Sequence, residues 1–248
     1  MKRIKAMLAR QRVEPLRAWR AIRELLKNPD DTTQVFHIIE ALKGDSLGAA
    51  VRRLRATERG RALLNEKPDI VRCLNNREWL ESLPEGSIGR VYYDFVHGEN
   101  LSADGLIASS ETPSRAEIYR GLSKDESWLA DRLRDIHDLQ HVMTGYGRDP
   151  VGELSLLSFM TTQTPNRGIR FIVRIGRWKY QREAPAIPIR SLIREGAEIA
   201  RGAVWMAEVH WEQKLAQPLD AVRAELGFKP PVQYQRLRES APQLLAAA

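Results

Sequence analysis

Apolar residues recur every three or four positions along almost the whole chain, which is the period of an amphipathic helix. Trp19, Ile22 and Leu26 form the first apolar stripe, and Val35 and Ile38 belong to the second. No stretch alternates apolar and polar residues convincingly, as a half-buried strand does. The pattern therefore predicts an all-α protein.

Glycine, proline and capping residues mark where these helices end. Asn28 and Pro29 stop the first helix, Gly44 follows the second, and a run from Gly145 to Pro150 separates two later helices. Residues 97–123 contain loop-like pieces. The predicted helices span residues 12–27, 35–42, 46–56, 58–65, 76–82, 87–96, 124–143, 150–162, 170–181, 189–215 and 219–226.

The length of 248 residues favours one domain with a single hydrophobic core. A composition of 43% hydrophobic and 29% charged residues is that of a globular protein and excludes a disordered or fibrous one. We divide the chain into a basic amphipathic helix over residues 1–27, a compact helical domain over residues 28–240, and a tail over residues 241–248.

The positive charge is concentrated near the N-terminus. The formal net charge is +7, and residues 1–27 contain nine basic and two acidic side chains, so the rest of the chain is balanced. A uniformly basic surface for nucleic acid is therefore not expected. A second basic block over residues 167–194 has eight basic side chains and one acid, Glu183.

Several other classes are excluded by what the sequence lacks. No window reaches the roughly 18 consecutive apolar residues of a transmembrane helix. The N-terminus has no uninterrupted apolar core of the kind that a secretory signal needs. Cys73 is the only cysteine, which excludes an internal disulfide and cysteine-rich zinc fingers and agrees with a reducing compartment.

One stretch carries residues suited to chemistry. His137 and His141 are four positions apart, so a helix places both imidazoles on one face, where they can share a metal ion. Asp138 lies about 100° around the helix and offers an oxygen ligand or a hydrogen-bond acceptor for a histidine. An antiparallel helical hairpin would return Glu153 to the level of the histidines. This donor set suits Zn²⁺, and Fe²⁺, Mn²⁺ or Co²⁺ also fit.

Other interpretations of these residues remain open. Paired histidines also occur on solvated helices without a metal, and Glu153 alone is an ordinary first-turn acid. A zinc protease of the His-Glu-x-x-His type would have glutamate where Asp138 stands. A phosphohydrolase of the His-Asp type needs a further upstream histidine and a downstream aspartate, positions that His97 and Asp220 fill without other support.

The motif His137-Asp138-x-x-His141, followed after eleven residues by Glu153, resembles the metal motif of the fourth coenzyme Q biosynthesis protein family. The similarity covers roughly residues 30–230, while residues 163–195 depart from the family pattern. Further segments that are similar to the family are residues 83–89, 92–95, 132–138, 211–212 and 219–226.

This resemblance implies an all-helical protein of ubiquinone synthesis that binds a divalent metal, generally zinc, through His137, Asp138, His141 and Glu153. It also implies one of two roles. In the first, the protein is a carboxy-lyase that removes the C1 carboxylate of a polyprenyl-hydroxybenzoate and replaces it with hydroxyl, with the four residues acting through the metal. In the second, it is a non-catalytic lipid-binding scaffold that organises the ubiquinone biosynthetic enzymes at the membrane.

An isoprenoid substrate requires an apolar groove. The candidate wall residues, each of which also suits ordinary core, are Val91, Tyr92, Phe95, Leu156, Leu157, Phe159 and Met160. A basic amphipathic helix lies on anionic membrane surfaces. The candidates for that contact are Arg12, Arg17, Arg20, Arg23 and Lys27. Arg167, Arg170, Arg174, Arg177 and Lys179 form either a second basic face or a solvated helix.

The expected partners follow from the same resemblance. They are a polyprenylated quinone precursor, the other ubiquinone biosynthesis enzymes and an anionic membrane surface, and a homodimer is compatible with the sequence. Nucleic acid is not expected. The expected location is cytoplasmic and peripheral, on the inner face of the membrane.

Overall fold

The computed structural model describes residues 13–27, 32–42, 44–98 and 121–246. Within these ranges the secondary structure is helical and contains no strand, and an isolated antiparallel bridge pairs Ser87 with Pro218. The all-α prediction is confirmed. None of the described helices combines the length and the apolar character that a bilayer crossing requires. Arg12 lies outside the described residues.

The helical periods in the sequence correspond closely to the helices observed. Two short 3-10 helices, Met206–Glu208 and Trp211–Gln213, lie between the last long helix and the C-terminal ones. The α-helices are α1 (Pro15–Lys27), α2 (Thr32–Leu42), α3 (Ser46–Ala56), α4 (Glu58–Glu66), α5 (Ile70–Leu74), α6 (Arg77–Ser82), α7 (Ile88–Gly98), α8 (Lys124–Asp135), α9 (His137–Thr144), α10 (Pro150–Gln163), α11 (Arg167–Glu183), α12 (Ile189–Gly202), α13 (Leu219–Leu226), α14 (Val232–Ser240) and α15 (Pro242–Ala246).

The predicted helix over residues 124–143 is divided in two. Ile136 separates α8 from α9, and its ψ of 7° lies outside the α-helical range. Its side chain is fully buried. Apolar periodicity cannot reveal a break at one buried residue, because that residue still belongs to the apolar stripe. The break matters for the site, since α9 begins at the first motif histidine.

The predicted helix over residues 189–215 ends earlier, at Gly202. Beyond it, the backbone groups are satisfied by the buried amide of Gln163, which donates to the Val204 carbonyl at 2.9 Å. Its oxygen accepts from the Met206 amide, also at 2.9 Å. A side chain from α10 thus provides the hydrogen-bond partners of the Val204 carbonyl and the Met206 amide in place of helical ones.

The C-terminal region is more ordered than the predicted tail. α14 and α15 have no counterpart among the predicted helices, and Leu245 is buried in the main core. Tyr234 on α14 is fully buried. These helices matter for function because α14 packs beside the turn between α9 and α10.

The main core is built around α7, α9, α10 and α12, with Trp211 fully buried within it. α10 and α12 approach so closely at Gly196 that a Cβ there would collide with the carbonyl oxygen of Ser155. Glycine is therefore required for this approach. The pairing holds α10, and so Glu153 at its start, rigidly against the body of the protein.

A separate apolar cluster joins α1, α2 and α11. Ile22, Ile38 and Ile172 are its buried centre, and Leu157 from α10 packs against it. Trp19 was predicted to share the apolar stripe of Ile22, but the structure leaves Trp19 52% exposed. Small residues allow this arrangement, because Ala18 and Ala21 form the rest of the buried side of α1.

Candidate metal centre

The two motif histidines lie on consecutive turns of α9. Their ring centroids are 5.0 Å apart in an edge-on arrangement. The His141 side chain is fully buried, and that of His137 is 18% exposed. Both imidazoles therefore face a common space that is largely closed to solvent.

Three side chains come together as candidate ligands. One atom from each of His137, Asp138 and His141 lies within 4.8 Å of the other two. The Asp138 carboxylate is 8% exposed, and its Oδ1 lies 3.3 Å from Nδ1 of His137. In the described part of the chain this is the one group of three or more such side chains with this geometry.

The tight turn after α9 brings the fourth predicted residue into place. Gly145 ends α9 in the left-handed region with φ of 80°, and Asp149 caps α10 by accepting from the amides of Val151 and Gly152. The chain reverses, as the hairpin prediction requires. Glu153 then lies with Oε1 3.2 Å from Nε2 of His141 and Oε2 3.8 Å from Nε2 of His137.

The hydrogen bonding of His141 suits a metal ligand. Its Nδ1 lies 3.1 Å from the carbonyl oxygen of Tyr146. Since a carbonyl only accepts, Nδ1 carries a proton, and the neutral imidazole then offers the lone pair of Nε2 to a metal ion. Nε2 is buried and faces Oε1 of Glu153 at 3.2 Å. A buried nitrogen in this state fits a metal ion, and a carbonyl behind the ring is the usual outer partner of a ligating histidine.

The charges of the cluster reinforce one another. Burial alone would raise the pKa of Asp138, but the hydrogen bond from His137 and nearby positive charges lower it. Glu153 behaves in the same way: burial opposes ionisation, while His141, His137 and Arg148 lower its pKa. Burial would lower the pKa of His137, but Asp138 and Glu153 raise it. Both carboxylates are thus kept ionised and available as ligands.

Arg148 belongs to this site and was missed by the sequence analysis. It lies in the turn, with Nη1 3.6 Å from Oδ1 of Asp138 and its guanidinium carbon 5.9 Å from the ring centroid of Phe95. Phe95 in turn stacks on His141 at 5.4 Å. The sequence signal was its position between His141 and Glu153, in a run that we interpreted only as a helix break.

The turn is held by groups far along the chain. The hydroxyl of Tyr234 accepts from the amide of Gly147 at 3.0 Å and donates to the Asp149 carboxylate. Arg223 donates to the carbonyls of Val142 and Met143 at the end of α9. These contacts fix the backbone from which Tyr146 reaches His141.

A buried ion pair supports α8, the helix that leads into the site. Arg132 is 1% exposed at its side chain and donates to Glu212 at 2.9 Å and to the Val209 carbonyl at 2.7 Å. Arg132 and Glu212 both lie in segments that resemble the coenzyme Q family. Their role in the structure is to tie α8 to the 3-10 helices.

The seven predicted wall residues do not lie in a single wall. Tyr92, Leu156 and Phe159 are buried in the main core, whereas Leu157 packs against the α1–α2–α11 cluster. The three that are only partly buried beside the main core are Val91, Phe95 and Met160. Among the seven, Phe95 stacks its ring on a motif histidine, His141.

The predicted basic residues of α1 divide into two groups. Arg17 turns inward and pairs with Glu40 of α2 at 2.9 Å. Arg20, Arg23 and Lys27 are exposed, and helical geometry places them on the same face as the exposed Trp19. On α11, Arg170, Arg174 and Arg177 are exposed beside Trp178, which is 51% exposed.

The family described as coenzyme Q (ubiquinone) biosynthesis protein Coq4 matches residues 11–232. The mitochondrial ubiquinone biosynthesis protein COQ4 homolog of Rattus norvegicus is 26% identical over 200 residues, which cover 79% of this chain and 72% of the relative. The mitochondrial ubiquinone biosynthesis protein coq4 of Penicillium rubens is 27% identical over 183 residues, which cover 73% of this chain and 60% of the relative.

A solved structure supports the fold. A crystal structure of a candidate ubiquinone biosynthesis protein from Nostoc punctiforme is similar with a TM-score of 0.65 and 22% identity. The similarity covers 87% of this chain and 98% of that one. The helical fold of this chain is thus similar to that of the Nostoc protein. The motifs over residues 30–230 indicate the same family resemblance from sequence.

Proposed function

The chain belongs to the Coq4 family of coenzyme Q (ubiquinone) biosynthesis proteins, and from that premise we propose that it is a metal-dependent carboxy-lyase of ubiquinone synthesis. Its substrate is a polyprenyl-hydroxybenzoate, which loses the C1 carboxylate and gains a hydroxyl at that carbon. The observation that carries the proposal is the cluster of His137, Asp138 and His141 within 4.8 Å, with Glu153 against both imidazoles.

His137, Asp138, His141 and Glu153 would hold the metal. Two imidazoles and two carboxylates suit Zn²⁺ best, and Fe²⁺, Mn²⁺ and Co²⁺ accept the same donors. When bound, the ion supplies a Lewis acid that holds the substrate carboxylate. Tyr146 orients His141 through its carbonyl, so the donor nitrogen is set before substrate arrives.

The proposed reaction is an oxidation. An aryl carboxylate and water become a phenol, carbon dioxide, one proton and two electrons. A co-oxidant such as dioxygen takes the electrons, because Zn²⁺ does not change oxidation state. The hydroxyl para to the carboxylate makes the carboxyl-bearing carbon electron-rich.

The polyprenyl tail is assigned to the apolar surface next to the cluster. Val91 and Phe95 are one turn apart on α7 and only partly buried, and Met160 of α10 is also partly buried beside the main core. Tyr92, Leu156 and Phe159 support this surface from behind as buried core residues. Leu157 is left out of the groove because it packs against the other cluster.

We assign the membrane contact to α1 and α11. Each carries an exposed tryptophan among exposed basic residues, Trp19 with Arg20 and Arg23 on α1, and Trp178 with Arg174 on α11. Tryptophan prefers the headgroup region and basic residues attract anionic lipids. Both helices pack on α2 through the cluster of Ile22, Ile38 and Ile172. The protein would lie peripherally on the inner face of a membrane.

The competing role is that of a lipid-binding scaffold. In this role the metal only stabilises the α9–α10 hairpin, and the protein assembles with the other ubiquinone biosynthesis enzymes or with a second copy of itself.

One experiment distinguishes the enzyme from the scaffold. Protein loaded with each metal in turn is incubated under air with a polyprenyl-hydroxybenzoate, and carbon dioxide and the hydroxylated product are measured by mass spectrometry.

Carbon dioxide in equal amount to the phenol, and its loss in His137→Ala, would support the enzyme. Binding of the precursor without turnover with any of the four metals would contradict the enzyme and favour the scaffold. His97→Ala is the control, because His97 is an exposed histidine on α7 whose ring stacks on Tyr93 instead of joining the cluster.

A further inference from the structure

Arg148, whose side chain is 25% exposed, differs from Arg132 and Arg223 in the hydrogen bonds that its guanidinium makes. Arg132 donates to a carboxylate and a carbonyl, and Arg223 donates to two carbonyls. Nη1 of Arg148 is buried but makes no hydrogen bond within the described residues. Asp138 Oδ1, at 3.6 Å, attracts it by charge but is too far for a hydrogen bond.

A buried donor without an acceptor is costly, and a charged one more so. Such groups are commonly explained by a ligand that completes them. A carboxylate suits this position because guanidinium and carboxylate form short, charge-assisted and often paired hydrogen bonds. The unpaired Nη1 of Arg148 therefore fits a carboxylate oxygen as its acceptor.

The charge of the cluster points the same way. With neutral imidazoles, the carboxylates of Asp138 and Glu153 exceed the single charge of Arg148 by one. A bound divalent ion reverses the balance and leaves one net positive charge in a partly buried cluster. A monoanion neutralises it, whereas an uncharged ligand leaves the excess charge buried at a cost.

The aromatic neighbour narrows the ligand further. Phe95 stacks on His141 at 5.4 Å and lies under the guanidinium of Arg148 at 5.9 Å, so one ring borders both the donor nitrogen and the cation. Aromatic rings prefer offset or edge contacts with other rings at such separations. In an aromatic acid the carboxylate is attached directly to the ring. Such a ligand can place its carboxylate at the guanidinium of Arg148 and its ring against Phe95 at the same time.

We propose that Arg148 is the residue that selects an aromatic carboxylate as substrate, by donating from its buried Nη1 to one carboxylate oxygen while Phe95 packs against the ring. The inference rests on the proposed function, because it assigns a specificity residue to the same site. It concerns binding and requires no chemical step.

The test compares an aromatic acid with an uncharged aromatic alcohol of similar size. The Zn²⁺-loaded full chain and its Arg148→Gln and Arg148→Lys variants are titrated calorimetrically with 4-hydroxybenzoate and with 4-hydroxybenzyl alcohol. Arg148→Gln should weaken binding of the acid about tenfold to hundredfold, since a charge-assisted hydrogen bond is lost. The alcohol should bind the variant and the unaltered protein equally. Arg148→Lys should recover part of the loss for the acid.

Metal content is measured in every sample, because Arg148 also lies beside Asp138. Arg90→Gln is the matched control, since Arg90 is paired with Asp94 on the surface of α7. Equal weakening of the acid and the alcohol, no weakening of either, or loss of zinc from Arg148→Gln would each overturn the inference.

Failure of the inference is separable from failure of the proposed function. If the acid binds Arg148→Gln as tightly as the unaltered protein while carbon dioxide is still released, the role of Arg148 is overturned and the carboxy-lyase proposal stands. Arg148-dependent binding of the acid without any turnover would uphold this inference and contradict the enzyme.

Discussion

The Nδ1 atom of His141 lies 3.1 Å from the carbonyl oxygen of Tyr146, a residue in the turn that ends the same helix. The imidazole is thus oriented by the backbone of the loop that also carries the chain towards Glu153. Any group that holds this turn therefore acts on two candidate ligands together.

Removing a candidate ligand should lower metal content. His137→Ala and His141→Ala should each abolish stoichiometric zinc, because two imidazoles are the strongest donors of the cluster. Asp138→Asn and Glu153→Gln should lower affinity without abolishing it. A loss of ten- to hundredfold at either carboxylate is typical of an outer-shell partner, and a larger loss indicates a direct ligand. Zinc is quantified by atomic absorption and by competition with a chelator.

His97→Ala serves as the control for these variants and should retain full zinc, because its ring contact lies with Tyr93 on the surface of α7. If His137→Ala retains the zinc content of the unaltered protein, the assignment of the metal site to this cluster is wrong.

The metal-free protein should depend on pH in a defined window. The pKa of His137 is raised above 6.5, so its pairing stabilises the fold below that pH and is lost as pH rises through the higher value. The pKa values of Asp138 and Glu153 are lowered from 3.8 and 4.5, so their contribution is present above these values and lost as pH falls. The cluster therefore stabilises most between pH 4.5 and 6.5.

The measurement is the thermal midpoint of chelator-treated protein across pH 3 to 9, for the unaltered chain and for His137→Ala. The difference between the two should be largest inside the window and shrink on both sides. A difference that keeps growing above neutral pH would contradict the assigned direction of the His137 shift.

Tyr234→Phe should weaken the turn and, through it, the metal site. The variant loses the hydroxyl that accepts from Gly147 and donates to Asp149. Leaving these groups without a partner costs about 1–3 kcal/mol in the free energy of unfolding. Zinc affinity should fall as well, because the same turn presents Tyr146 to His141. Urea denaturation and chelator competition measure the two effects.

Tyr93→Phe, on α7 and outside the turn, is the comparison variant and should leave zinc affinity unchanged. If Tyr234→Phe lowers stability but not zinc affinity, the conformation of the turn does not affect the candidate ligands, and the prediction is wrong.

The approach of α10 to α12 should not tolerate a methyl group. Gly196→Ala forces a Cβ against the Ser155 carbonyl and should destabilise the fold by about 1–3 kcal/mol through overpacking. Gly202→Ala, at the end of the same helix, is the control, because its nearest neighbour is the Gly227 carbonyl at 3.7 Å. Denaturant unfolding compares the two, and equal stabilities would contradict the close contact.

Membrane binding should depend on the exposed faces of α1 and α11. Trp19→Ser with Arg20→Glu and Arg23→Glu should weaken binding to anionic vesicles by roughly 30-fold or more, since each basic residue near the surface contributes about 1 kcal/mol. The combination Arg174→Glu, Arg177→Glu and Trp178→Ser on α11 should act similarly. Vesicle sedimentation at two salt concentrations measures both.

These substitutions are preferable to deleting residues 1–27, which would uncover Ile38 and Ile172 in the cluster beneath α1. Arg59→Glu with Arg61→Glu on α4 changes the net charge equally and should not affect vesicle binding. If the α4 variant weakens binding as much as the α1 variant, the effect is one of total charge.

Local patterns predicted much of this protein. The apolar period of 3.6 residues determined its helical class, and the four-residue spacing of His137 and His141 predicted a shared face because neighbours on one helix are set by the backbone alone. The return of Glu153 was predictable from the glycine and proline between the helices. The same motifs also indicated membership of the coenzyme Q family.

Tertiary packing determined which side chains are buried and which distant residues are in contact, and the spacing of residues along the sequence does not contain this information. Trp19 has the same helical period as Ile22, and only the placement of α2 and α11 determines which of them is buried. Arg148 enters the site because Phe95, more than fifty positions earlier, lies across from the turn. Tyr234 supports that turn from more than eighty positions later, since a contact between distant segments depends on how whole helices pack.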